Sequence, residues 1–247
     1  MSGELPGLSR PPAELMKTWW ALESEVREIA RKLDPDVAKL ADLGFELLLE
    51  GQQASMAGKW ALWEGIFALA LAQLENTSAC AWELAYSGYY VQSRALSRLM
   101  TEYLAVVWYL PNHRDEAMKW NDLTRQPPEA GKLLAAVFAD DQVINDNFHA
   151  LRKHLHRFAH QDSIGLLALY EQGTEPTDLG INMRAQFNQK EFQAVARDLL
   201  LLHASIPGAM ADWRGDKDQA WATRVREYID RVARLIDMYD ERHPAKS

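Results

Sequence analysis

Apolar residues recur along almost the whole chain at spacings of three and four, and no series of alternating apolar and polar positions marks out a substantial sheet. The pattern predicts an all-α protein. Leu15, Trp19, Leu22, Val26 and Ile29 share one stripe of a helix over 13–33, which opens after Pro11-Pro12 and stops at Asp34-Pro35. A second helix is predicted over 35–50 and a third over 58–86. The third interleaves Trp60, Trp63, Phe67, Leu71, Leu74 and Trp82 with alanines and Ser78, which suits a central helix that neighbours approach closely.

Gly88 punctuates, a helix over 89–110 follows, and Pro111-Asn112 ends it. Shorter helices are predicted over 115–123 and 129–138, and longer ones over 142–160, 189–205 and 217–242. Between 163 and 187 two apolar segments flank GTEPTD, which leaves room for a small β-hairpin. About eight to nine helices in one bundle domain over 1–247 is the expected architecture, with N-terminal helices over 1–57, a core over 58–210 and a C-terminal amphipathic helix over 217–242. In that last helix Trp221, Val225, Tyr228, Val232, Leu235 and Tyr239 alternate steps of four and three, a heptad-like seam. The seam suits a homodimer surface or packing within the same bundle.

Composition narrows the classes. With 48% apolar residues, 247 residues form a sizeable core, and disorder is excluded. The longest uncharged run, Leu199–Ala211, is 13 residues and falls short of the roughly 20 that a membrane span requires, so no membrane is expected. A single cysteine, Cys80, allows no intrachain disulfide and no cysteine zinc site, and without an export signal a reducing cytoplasm is expected. The formal charge of −8 argues against long nucleic acids as general partners.

Against that acidic average, His149, His154, His156 and His160 fall within twelve residues together with Arg152, Lys153 and Arg157. At about 100° per residue, Ile144, Phe148, Leu151, Leu155 and Phe158 form an apolar stripe, and His149, Lys153, His156 and His160 lie opposite it, with Arg152 nearby. Such a face suits an anionic ligand, and a histidine there is a candidate general acid or base. It also reads as a solvated polar face. A third reading makes His149, His156 and His160 a metal-ligating set, since His156 and His160 stand at i and i+4; Lys153 and Arg152 oppose a cation there, and Glu-x-x-His pairs are absent. One helix earlier, Arg94, Arg98 and Glu102 stand at i, i+4 and i+8 on an otherwise apolar helix. They read as an internal ion network or as one wall of a cleft. No Gly-rich phosphate loop and no nucleophile elbow occurs. The nine tryptophans could line an apolar-ligand pocket, although tryptophan in long helices is ordinarily core.

The order GYYVQSRALSRLMTEYLAVVWYLP, KW, FHALRKHLHRFAHQDS resembles an uncharacterised bacterial helical family related to the HEPN superfamily, over roughly Trp60 to Pro207. Gly88, Arg98, Glu102 and His160 occupy the glycine, Arg-x-x-x-Glu and histidine places of that pattern. The resemblance implies a helical bundle, frequently dimeric, and a metal-independent ribonuclease or a non-catalytic binding module, with no cofactor. It puts His160 and His156 in acid–base roles with Arg152, and Arg98 and Glu102 orient the site. Arg94, Lys153 and Arg157 would bind RNA or a small phosphate-bearing ligand, and the homodimer would form through the C-terminal helix or the histidine helix. The chain departs from the family's spacing, in which four to six residues separate arginine from histidine: seven separate Arg152 from His160, and two separate Arg157 from it.

Overall fold

Local chemistry draws the helix boundaries. A computed structural model of the chain describes residues 12–55, 61–122, 128–159, 170–172, 179–181, 187–214 and 218–242. Helix α1 (Pro12–Leu33) ends where Asp34 begins to cap α2 (Pro35–Ser55), with proline at the first helical position. The Val37 amide donates to Asp34 Oδ1 at 3.4 Å, and the Tyr239 hydroxyl, from the far end of the chain, donates to Asp34 Oδ2. Asp34→Ala is therefore expected to cost about 1 kcal/mol. A urea midpoint equal to that of the parent protein would show that the cap carries no weight.

Helix α3 (Leu62–Tyr86) turns into α4 (Tyr90–Tyr109) at Gly88, whose φ is 82°. The Gly88 amide bonds Ala85 O at 3.2 Å and the Tyr89 amide bonds Leu84 O at 2.8 Å, the paired pattern that ends a helix on a left-handed residue. Ser93 and Ser97 on the buried side of α4 let it lie close to α3, and the Ser93 hydroxyl donates to Ala81 O at 2.8 Å. Beyond α4 come two 3-10 turns (Leu110–Asn112 and Arg114–Ala117) and a single turn α5 (Met118–Asn121), in place of the continuous helix expected over 115–123. Then follow α6 (Ala130–Val137) and α7 (Gln142–Ala159). Of the stretch 163–187, strands β1 (Tyr170–Gln172) and β2 (Leu179–Ile181) lie antiparallel with Tyr170 opposite Ile181. Three residues per strand add no layer, and the architecture is an all-α bundle.

Helix α8 (Gln189–Arg214) passes through Pro207, where a stop near Ser205 is expected. Proline withholds an amide from the preceding turn, yet Ile206, Ala209, Met210 and Ala211 are all buried, and that burial offsets a cost of about 3 kcal/mol. Helix α9 (Gln219–Arg242) carries the heptad-like seam, and all six of its residues are buried within the chain against α8 and α2. Trp221 Nε1 donates to Leu47 O of α2 at 3.1 Å. The seam is thereby consumed inside the bundle and offers no apolar area to a second copy.

The main core draws on α1, α2, α3, α4, α7, α8 and α9. Helix α4 touches α3, α6, α7 and α8, so it occupies the central place expected of α3. Among the described residues no helix is long and apolar enough to cross a membrane.

Candidate functional site: an ionic seam between α4, α7 and α8

The apolar stripe of α7 docks it on α4. Leu155 is fully buried and Phe148, Leu151 and Phe158 are partly so, whereas Ile144, expected on the same stripe, keeps 39% of its surface exposed. That docking brings the flank of α7 carrying Arg152 and His149 over the Arg94–Arg98–Glu102 row of α4.

Two arginines meet on one carboxylate. The Arg98 side chain, 11% exposed, forms an ion pair with Glu102 through Nη1, which also donates to Thr101 Oγ1 at 3.1 Å. Arg152 Nη2 approaches the same Glu102 Oε1 at 3.4 Å. Gly131 of α6 makes room for this: a Cβ there would stand 2.9 Å from Arg152 Nη1 and 3.6 Å from His149 Cε1. One turn before Arg98, Arg94 is 8% exposed and donates through Nη1 to Glu191 Oε2 at 2.7 Å, with its guanidinium 4.7 Å from the Phe158 ring centre. Glu191 sits in the first turn of α8, where Asn188 caps the helix by accepting the Glu191 amide at 3.2 Å and donates its own amide to Tyr90 Oη of α4 at 3.1 Å.

The Nε atoms of Arg94, Arg98 and Arg152 are buried without a hydrogen-bond partner. Buried donors of that kind are costly unless something satisfies them. Three permanent cations face Glu102 and Glu191 in this seam, and Asp198 of α8 also acts on Arg94.

A second pair adjoins Arg94. Burial pushes the Asp198 carboxyl up from its ordinary value, against the pull of His154, Arg94 and Arg197. The His154 imidazole is held below its ordinary value, first by burial, with Asp198 opposing and Arg94, Arg157 and Arg197 assisting. Arg197 is itself clamped to Asp240 by two bonds of 2.8 Å.

The expected residues separate into three groups. Arg94, Arg98, Glu102 and Arg152 come together, with His149 beside them. Lys153, His156 and Arg157 are exposed on the outer side of α7, and His160 lies outside the described residues. Glu191, Asp198 and His154 are additions. Nothing local in the sequence singles out Glu191 or Asp198, which reach Arg94 only because α8 packs on α4. His154 carries a faint signal, one turn before Phe158 on the α7 stripe. Among the described residues no group of three or more His, Cys, Asp or Glu side chains is arranged to hold a metal ion. Compared with known protein families, with curated proteins and with solved structures, the chain matches none.

Proposed function

We propose that the protein is HEPN-like and binds a phosphate-bearing ligand, RNA backbone included, at the α4–α7 seam. The supporting observation is the convergence of Arg98 and Arg152 on one carboxylate, Glu102, with a buried Nε on each arginine that has no partner among the described residues. Guanidinium groups held by burial bind phosphate oxygens through paired N–H donors, and here the ordering is done before the ligand arrives. Glu102 spaces the two arginines, and Lys153 and Arg157 extend the positive charge along α7. His156 and His160 are the acid–base candidates for metal-independent cleavage. A site of this size holds few phosphates, which reconciles it with the net charge of −8.

A competing reading makes the seam a lock that holds α7 on α4 in a non-enzymatic interaction module. It is favoured by Glu102 already lying between both arginines. Fluorescence anisotropy with a labelled single-stranded RNA and competition by inorganic phosphate, at low salt and with chelator present, separates the two. Arg152→Gln is expected to weaken RNA binding about tenfold while leaving the melting temperature nearly unchanged, because Arg152 is the more exposed of the pair. The lock predicts the reverse, lost stability with no affinity to lose. Failure of both RNA and phosphate to bind would remove the proposal. Chelator-resistant cleavage that disappears in His156→Asn or His160→Asn would extend binding to catalysis.

A further inference from the structure

A pocket of about 350 Å³ opens between the C-terminal end of α4, α6, the first turns of α7 and the second half of α8. It shares α4 and α7 with the ionic seam but none of the charged residues there. One wall is a ring cluster: Trp108 stands edge-on to Phe138 and Phe148, with centres 5.1 and 4.8 Å apart, and the two phenyl rings stack at 5.9 Å. Trp213 also lines the pocket and is held by Phe67 at 5.0 Å and by the edge of Trp63 at 6.0 Å. Among the described lining residues the single ionisable group is Asp212.

Asp212 makes no hydrogen bond or ion pair with another described residue. Partial burial pushes its pKa up, and Arg226 of α9, which forms no ion pair with it, pulls the pKa down less strongly. The other polar liners differ: the Ser205 hydroxyl is spent on Leu201 O at 2.8 Å, and Asn112 lies exposed at the rim. Aromatic faces carry a negative electrostatic potential, and a carboxylate in the same lining as Trp108, Phe138, Phe148 and Trp213, with no cation and no partner for it among the described residues, selects positive charge. The same preference operates next door, where the Arg114 guanidinium lies 4.6 Å from the ring centre of Trp63. The volume falls at the small end of the range for ligand sites, about 300–1,000 Å³.

We infer that this pocket binds a small organic cation, an ammonium group carried on an aromatic or branched apolar body. The apolar body lies against Trp108, Phe148 and Ile144, and the ammonium group pairs with Asp212. An anionic ligand finds no partner here, and a neutral one leaves Asp212 unpaired.

The test uses the full chain and three probes of similar shape: 2-phenylethylammonium, 3-phenylpropan-1-ol and 3-phenylpropanoate. Binding is read by titration calorimetry and by tryptophan fluorescence, to which Trp108 and Trp213 contribute. The ammonium is expected to bind saturably and about tenfold or more tightly than the alcohol, and the carboxylate least. Asp212→Asn, at an exposed position, is expected to remove the preference for the ammonium. Ser205→Phe, which sends a ring into the pocket from the surface of α8, is expected to abolish binding with the helical circular dichroism retained. The inference is overturned if the alcohol or the carboxylate binds as tightly as the ammonium, if Asp212→Asn binds like the parent protein, or if none of the probes binds.

Discussion

Gly44→Ala is expected to destabilise the protein by about 3 kcal/mol or more, although alanine is the better helix former by about 1 kcal/mol. Gly44 lies inside α2, and a Cβ there would run into the His203 ring and come within 2.5 Å of the Tyr228 hydroxyl. Neither neighbour can retreat. His203 is completely buried, bonded through Nδ1 to Ser78 Oγ at 2.8 Å, and packed on Phe45 at 4.3 Å and edge-on to Trp82 at 6.4 Å. Tyr228 is 1% exposed at the middle of the α9 seam. Displacing either ring overpacks the core and costs the Ser78–His203 bond, whose buried partners would be left unsatisfied at about 1–3 kcal/mol. The melting temperature should fall by roughly 6–12 °C, with the urea m-value unchanged. A variant as stable as the parent, or more stable, would show that α2 can shift away and that the close approach has no cost.

Between pH 7.5 and pH 5 the protein should lose on the order of 2 kcal/mol of stability through His203 alone. Burial pushes the His203 pKa down from 6.5 to about 3, opposed only by a contact with the Ala41 carbonyl, and no charged group contributes. The sign follows from proton binding. Below pH 6.5 the unfolded chain takes up a proton at this residue, and the folded chain does not until the pH approaches 3. Stability is therefore present above 6.5 and is lost as the pH falls through that window. The neutral ring shares one hydrogen bond, Nδ1 with Ser78 Oγ at 2.8 Å, and its Nε2 is buried without a hydrogen-bond partner among the described residues, so nothing in the site compensates a second proton. His154 shifts in the same direction, and Asp198, shifted up, acts in the opposite one. His203→Gln separates these terms, since its stability should decline less steeply over the same range than that of the parent. Histidine side-chain NMR provides the direct check: one imidazole should not titrate between pH 7.5 and 4.5, and titration of every histidine near 6.5 would refute the assignment.

Much of this fold is legible in the chain because helix boundaries are short-range chemistry. Asp34-Pro35 supplies both a cap and a fixed φ, and Gly88 supplies the left-handed turn, whatever packs around them. Pro207 misleads for the same reason. Its local effect is to stop a helix, and only the burial of Ile206, Ala209, Met210 and Ala211 on the assembled bundle carries α8 past it. The site was half legible. The row Arg94, Arg98, Glu102 and the basic flank of α7 stand out as charge on helical faces, whereas the acids that compensate Arg94 come from about a hundred positions away.

By itself, then, the sequence determined the all-α class, most helix limits and the two charged faces, since periodicity records which side of each helix avoids water. It did not determine which faces meet. The pairing of Arg98 and Arg152 on Glu102, the space that Gly44 leaves for His203, the burial of the α9 seam and the aromatic pocket around Asp212 were decided by tertiary structure. Each depends on side chains from helices far apart in the chain closing to within a few ångströms, and that proximity is a property of how the helices pack together.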